Sequence, residues 1–188
     1  MKKNSFTDVK FDPREQNKSV QWYQQQIRNL GTTNGRRIMA ENKYLVNTIM
    51  PGKMYLFFYD PKHKKTLPYY DTFPLVLPFR KVQEGFFGLN LHYLPYMVRF
   101  KLLGYLFEYL NNEAMDETTR LQISWRILNS SSKLEPVKAC VKHYLFDHVE
   151  SRFFEIPITS WITAALLPVD SFEKANKQRV WNDSRKKY

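Results

Sequence analysis

The chain reads as an α+β domain: a small curled β-sheet or SH3-like barrel over about residues 50–92, packed with helices, plus an N-terminal helix and a basic C-terminal tail. Three observations predict it. Apolar residues make up 43% of the 188 and aromatic residues 16%, enough to build a real core. Residues 49–92 carry short apolar, aromatic runs interrupted by Gly, Pro and Asp, as strands joined by tight turns do. Beyond Pro95 the apolar spacing turns helical. The implied organisation is a helix and basic arm at 1–48, an α+β core at 49–169, and a short helix with a basic tail at 170–188.

Taking the elements in order, Asp12-Pro13-Arg14-Glu15 has the form of a helix start. Asp12 can accept from the first free N–H groups, Pro13 suits the first helical position, and Glu15 can complete a capping box. Val20, Tyr23, Ile27 and Leu30 then recur at helical spacing, with Gly31 as a stop and Ser19 as a second start. Gly31 to Asn47, including Gly35-Arg36-Arg37, reads as a linker or arm. Met54 to Tyr59 is a strand. Asp60-Pro61-Lys62-His63-Lys64-Lys65 is a turn or hairpin tip. Phe73 to Phe79 is a second strand, and Pro74 and Pro78 near its ends predict an edge position. Glu84-Gly85 turns the chain into a third strand, Phe86 to Leu91.

The second half opens with Pro95 as a first helical residue. Met97 to Leu110 is apolar on nearly every side, which predicts a helix buried all round. Thr118 to Leu128 is amphipathic and fits either helix or strand, and Asn129-Ser130-Ser131-Ser132 breaks it. Pro136 then opens the clearest helical pattern: Val137, Cys140, Val141, Tyr144, Leu145, His148 and Val149 fall on one face. Phe153 to Ile158 suits a strand, and Asp170 suits the cap of a short last helix before the tail Arg179 to Tyr188.

The formal charge of +11 is the main anomaly of the composition. Residues 1–50 hold nine basic against four acidic side chains and 51–115 eight against five; 116–169 balance at six each, and 170–188 hold six against three. Basic ends on a neutral core suit a polyanion or an acidic neighbouring subunit. No apolar run is long enough to span a bilayer, and no apolar segment follows the basic N-terminus as in a secretory signal. The single cysteine, Cys140, excludes an internal disulfide framework. These features predict a soluble protein made in a reducing compartment.

Enzymatic chemistry finds little support. Gly85-Phe86-Phe87-Gly88 lacks the lysine and the hydroxyl residue of a phosphate-cradling loop and is better read as a turn with strand packing. His143 and His148 are five apart, which puts them on different helical faces and argues against a metal pair. Cys140 and His148 read as core residues. Asp60, Asp71 and Glu84 each sit where a turn uses an acceptor, so nothing selects an acid–base pair. No cofactor, metal or small-molecule substrate is implied.

The most informative segment is Lys62, Lys64 and Lys65 followed by Tyr69 and Tyr70, with Arg80 and Lys81 on the next turn. Lysines there can meet phosphates while the rings stack on bases or sugars. Gly52-Lys53-Met54-Tyr55, Tyr59-Asp60-Pro61-Lys62, Leu67-Pro68-Tyr69-Tyr70-Asp71-Thr72-Phe73-Pro74-Leu75-Val76, Gly88-Leu89-Asn90-Leu91-His92-Tyr93-Leu94-Pro95 and Val180-Trp181-Asn182-Asp183-Ser184, in that order, resemble a small virion or assembly protein of T-even-like contractile-tailed bacteriophages. The likeness covers residues 18–185. It implies a non-enzymatic protein, made in the host cytoplasm and carried in the virion among other virion proteins, with no membrane partner. Two roles stay open. The first is a tail or baseplate subunit that docks through Arg36, Arg37, Arg185, Lys186 and Lys187. The second is a DNA-binding head or neck protein such as a DNA end-protector, using Lys62, Lys64, Lys65, Arg80 and Lys81 on phosphates and Tyr69 or Tyr70 on bases. A small hydrolase or nuclease is a third class, for which the sequence offers neither clustered carboxylates nor a metal-ligand set.

Overall fold

Side chains that alternate along each strand determine how the layers stack. The computed structural model describes residues 6–8, 20–30, 33–110 and 135–186, with single positions 116, 126 and 130. Among these, β1 (Leu45–Val46), β2 (Met54–Leu56), β4 (Leu75–Val82), β5 (Gly85–Asn90), β6 (Val141–Leu145) and β7 (Phe153–Ile156) form one open sheet. Its order is β1-β7-β2-β4-β5-β6, and every pairing is antiparallel. A separate two-stranded ribbon joins β3 (Tyr70–Asp71) to β8 (Phe172–Glu173).

Met54, Leu56, Leu75, Leu77, Leu89, Phe154 and Ile156 point to one side, into the larger core. That side is covered by α1 (Val20–Asn29) through Tyr23 and Ile27, α3 (Tyr96–Leu110) through Leu103 and Leu106, and the short α5 (Trp161–Leu166). The alternate residues Tyr55, Val76, Phe86, Tyr144 and Phe153 point the other way into a smaller cluster. Phe57 centres it, with its ring 5.1 Å from Phe153 and 5.3 Å from Tyr144, both edge-on. Each such side chain removed from water is worth about 1.5–3 kcal/mol, and edge-on ring pairs add to that. The middle of the sheet is therefore buried on both faces, while its β4–β6 end carries exposed Arg80, Lys81 and His143. This is an α+β architecture with an open sheet, so the SH3-like barrel does not form.

Several elements differ from the sequence reading. The helix expected from Pro136 is only one turn, α4 (Glu135–Lys138). Val141–Leu145 continue as β6 against β5, with Phe86 opposite Tyr144 and Phe87 opposite His143. Phe73–Phe79 is not an edge strand: β4 lies between β2 and β5. Pro78 is tolerated inside the sheet because the register shifts between Pro78 and Arg80, and its carbonyl still accepts from Gly52 N–H at 3.0 Å. The Asp60–Lys65 turn is no hairpin tip, since β2 pairs with β4 and β7 while β3 pairs with β8. Part of the expected arm is helical, α2 (Gly35–Met39), where Asn34 Oδ1 accepts from Arg37 N–H.

Helix α3 starts where expected but is buried on one side only: Met97 and Val98 are exposed. The last helix, α6 (Lys177–Lys186), starts later and runs further than expected. Its first turn is capped by Asn176, whose Oδ1 accepts from Arg179 N–H at 2.9 Å, because β8 separates Asp170 from the helix. The expected start at Asp12-Pro13 and most of the 118–132 region lie outside the described residues. No helix among the described residues is long and apolar enough to cross a membrane.

The Gly85 and Gly88 positions are set by strand packing, as expected. A Cβ on Gly85 would stand 1.9 Å from the carbonyl oxygen of Tyr144, and one on Gly88 would stand 2.3 Å from Val76 Cγ1.

Candidate nucleic-acid interface

The loop after Tyr59 and the edge strand β6 enclose a cleft of about 470 Å³. Lys62, His63, Tyr69 and Tyr70 line it from the loop, and Lys142 and His143 from β6. Asp71, Asn90 and Tyr93 complete the lining at greater depth.

Local hydrogen bonds shape the loop. Lys64 N–H donates to the Pro61 carbonyl at 3.1 Å, and Thr66 and Leu67 N–H both donate to the His63 carbonyl at 3.0 Å. The Lys64 ammonium folds back on Asp60 at 2.7 Å, a partner that raises the lysine pKa. At the loop base, Asp60 N–H donates to the His148 carbonyl and the His148 ring returns a 2.8 Å bond to the Asp60 carbonyl. Lys174 then clamps the loop from outside. Its ammonium donates to the carbonyls of Lys64, Lys65 and Leu67 from a backbone at φ 67°, a left-handed conformation that costs a lysine energy.

Under the cleft, Asp71 is a buried acceptor shared by four donors. Oδ1 accepts from Phe73 N–H at 3.1 Å and Ser171 N–H at 3.2 Å; Oδ2 accepts from Asn90 Nδ2 at 3.2 Å and meets His92 Nδ1 at 2.7 Å. Burial by itself pushes this carboxyl up. The His92 ring, with the Asn90 amide and the Phe73 N–H, outweighs it and holds Asp71 below the usual carboxylate range. An ionised Asp71 accepts only, so the proton between them sits on His92 Nδ1. The adjoining Arg99 is fully buried, donating from Nε to the Leu94 carbonyl at 2.7 Å and from its other nitrogens to the carbonyls of Ala165 and His92. Its burial lowers the guanidinium pKa to about 10.

Beside the cleft, cross-strand register builds a stack of planar groups. Arg80 on β4 is opposite Phe87 on β5, which is opposite His143 on β6. The guanidinium lies 4.1 Å from the Phe87 ring centre, and the Phe87 and His143 rings lie 4.5 Å apart and 7° from parallel. His143 belongs to both the stack and the cleft. A second cation–ring pair lies inside the cleft, where the Lys142 ammonium sits 4.0 Å above Tyr93.

The structure brings together Lys62, Tyr69 and Tyr70 among the residues singled out by sequence. Lys64 and Lys65 are exposed on the same loop but do not line the cleft. Arg80 joins through its stack, whereas Lys81 lies near Phe146 in a separate hollow. Arg36 and Arg37 are on α2, and Arg36 lines another hollow with Phe58, Phe73 and Pro168. Arg185 is exposed on α6, Lys186 ends that helix, and Lys187 lies outside the described residues. Lys142, His143, Phe87 and Lys174 were not anticipated. Reading 136–149 as a helix sent Lys142 and His143 in directions that a strand edge does not.

Of the two residues expected in the core, His148 is only half-buried, in the 3-10 turn Phe146–His148 at the base of the loop, where its ring bonds the Asp60 carbonyl. Cys140 is buried in the larger core, where burial pushes its thiol up to about 12. Asp60 and Asp71 face different partners. Among the described residues, no group of three or more His, Cys, Asp and Glu is placed to hold a metal ion.

A cleft lined by cations and rings suits a phosphate-bearing, ring-bearing ligand. Over residues 6–185 the chain matches the family described as phage T4 terminal DNA protecting protein. The chain belongs to that family. No curated protein and no solved structure matches it. The phage T4 terminal DNA protecting protein family accords with the phage resemblance in the sequence. Of the two roles that the resemblance left open, membership favours the DNA end-protector over the tail or baseplate subunit.

Proposed function

We propose that the protein is a non-enzymatic virion protein that binds the ends of linear phage DNA and shields them, with the basic, aromatic cleft beside β6 as its contact surface. The observation that carries this reading is the match to the terminal DNA protecting family across residues 6–185. The cleft supports it: Lys62 and Lys142 supply charge for phosphates, Tyr69 and Tyr70 supply ring faces, and the Arg80–Phe87–His143 stack extends the same surface. Asp71 supports a binding role as well, because its carboxylate is already engaged by four donors.

The test is protection of a linear duplex from an exonuclease, with closed circular duplex as competitor. End-binding predicts a surviving linear substrate that the circle does not displace, and affinity that falls with salt by about 0.9 log units per log unit for each phosphate neutralised. Digestion at the rate of naked DNA, or displacement by an equal mass of circle, overturns the reading.

A further inference from the structure

We infer that the cleft receives one unpaired terminal nucleotide, so that the protein grips a frayed or single-stranded DNA end and not the flat face of a closed terminal base pair. The inference rests on the end-binding reading and names the ligand of the same site.

Size comes first. At about 470 Å³ the cleft falls within the roughly 300–1,000 Å³ of small-molecule sites. A single nucleotide fits that space and a duplex does not.

The second argument is the orientation of β6. All five consecutive residues Val141 to Leu145 line the cleft. Successive side chains of a strand point to opposite faces, so a run of five lines one space only when the strand turns its edge toward it. β6 ends the sheet, and an edge carries peptide N–H and C=O groups outside the ladder. Leu145 N–H is taken by the Tyr59 hydroxyl at 3.2 Å, at one end of the strand. A base exposes its pairing edge only when it leaves its partner, and peptide groups beside ring walls are the chemistry that reads such a base.

The walls supply the rest. Tyr69 and Tyr70 are half-buried, so their rings are held while retaining open surface. Lys62 is exposed at the cleft, in reach of the backbone of an entering strand, and Lys142 is held over the Tyr93 ring. The Asp71 network and the Lys174 clamp fix the loop from below and outside, so the space exists before ligand arrives.

The experiment measures anisotropy of the full chain with four labelled DNAs of one internal sequence: ends with a terminal mismatch, ordinary blunt ends, ends whose last pair is chemically cross-linked, and a closed circle. Unpairing costs a few kcal/mol and least at a mismatch, so mismatched ends bind about tenfold tighter than blunt ones and cross-linked ends weakest of the three. Tyr70→Leu, confirmed as folded by its melting curve, narrows the mismatched-to-cross-linked ratio by about fivefold or more. Equal affinity for mismatched and cross-linked ends, both above the circle, overturns this inference and leaves end-binding standing. Equal affinity for all four DNAs overturns both.

Discussion

Replacing Asp71 by alanine removes the acceptor of four donors at once: Phe73 N–H, Ser171 N–H, Asn90 Nδ2 and His92 Nδ1. Each buried donor left without a partner costs about 1–3 kcal/mol, although relaxation keeps the total below the simple sum. The loss should be about 3–5 kcal/mol, at the top of the range for single substitutions. For a chain of this size that lowers the melting temperature by roughly 10 °C. Asp71→Asn keeps one acceptor oxygen for the backbone donors but turns an amide toward Asn90 and His92, so about half that loss is expected. The pH dependence has a definite sign. The folded-state pKa of Asp71 is depressed, so its contribution is present above the ordinary carboxylate value near 4 and fades as pH falls through the folded value. Urea unfolding of the three proteins at pH 7 and at successively lower pH measures both effects. A wild-type midpoint in Asp71→Ala, or a gap between wild type and Asp71→Asn that stays constant down to the acid limit of folding, would refute the role given to this network.

Two glycines should respond in opposite directions. Gly85→Ala forces a methyl to 1.9 Å from the Tyr144 carbonyl and should cost about 3 kcal/mol or more in thermal unfolding, whereas Gly104→Ala, with nothing within 4 Å in α3, should gain about 0.5–1 kcal/mol. Lys174→Met should change global stability by less than about 1 kcal/mol, because the contact is exposed. It should nevertheless accelerate hydrogen exchange at the Lys64, Thr66 and Leu67 amides, and unchanged rates would remove the clamp from the account. Lys62→Gln combined with Lys142→Gln should flatten the salt dependence of DNA binding by up to about 1.8 log units per log unit, a slope read from titrations at several salt concentrations. Arg36→Gln with Arg37→Gln should leave that slope unchanged, since Arg36 lines a different hollow.

The sequence announced some of these features clearly. Met54 to Tyr59 is apolar and aromatic enough to sit in the sheet under any arrangement, and β2 lies there. The α1 stripe of Tyr23 and Ile27 is a plain helical signal, and both residues reach the core. The 136–149 segment misled because a helical turn, five strand residues and a 3-10 turn follow one another. Their inward residues Val137, Cys140 and Tyr144 happen to fall at helical intervals. Only β5, whose glycines invite a close neighbour, decides for a strand, and that is tertiary information. Pro78 misled for a similar reason, since a bulge absorbs the missing donor and no local pattern encodes the bulge. The cleft was half legible. Its loop side, Lys62 with Tyr69 and Tyr70, is contiguous in sequence. Its strand side is some 70 residues away and was masked by the helical reading. The α3 helix shows the limit of composition: it is apolar all round, yet it leaves Met97 and Val98 in solvent while burying Arg99.

The two ends of the sheet are unequal. β1 closes one side with two residues, too short to template another strand, while β6 offers five. The tethered loop, together with Lys142 and the exposed His143 on the strand itself, blunts that edge against pairing with another strand. On the proposed reading, side chains offered to DNA also guard this edge against self-association. Removing them to abolish DNA binding should raise the tendency to aggregate, and bound DNA, by occupying the same edge, should act as a solubilising chaperone for the folded protein.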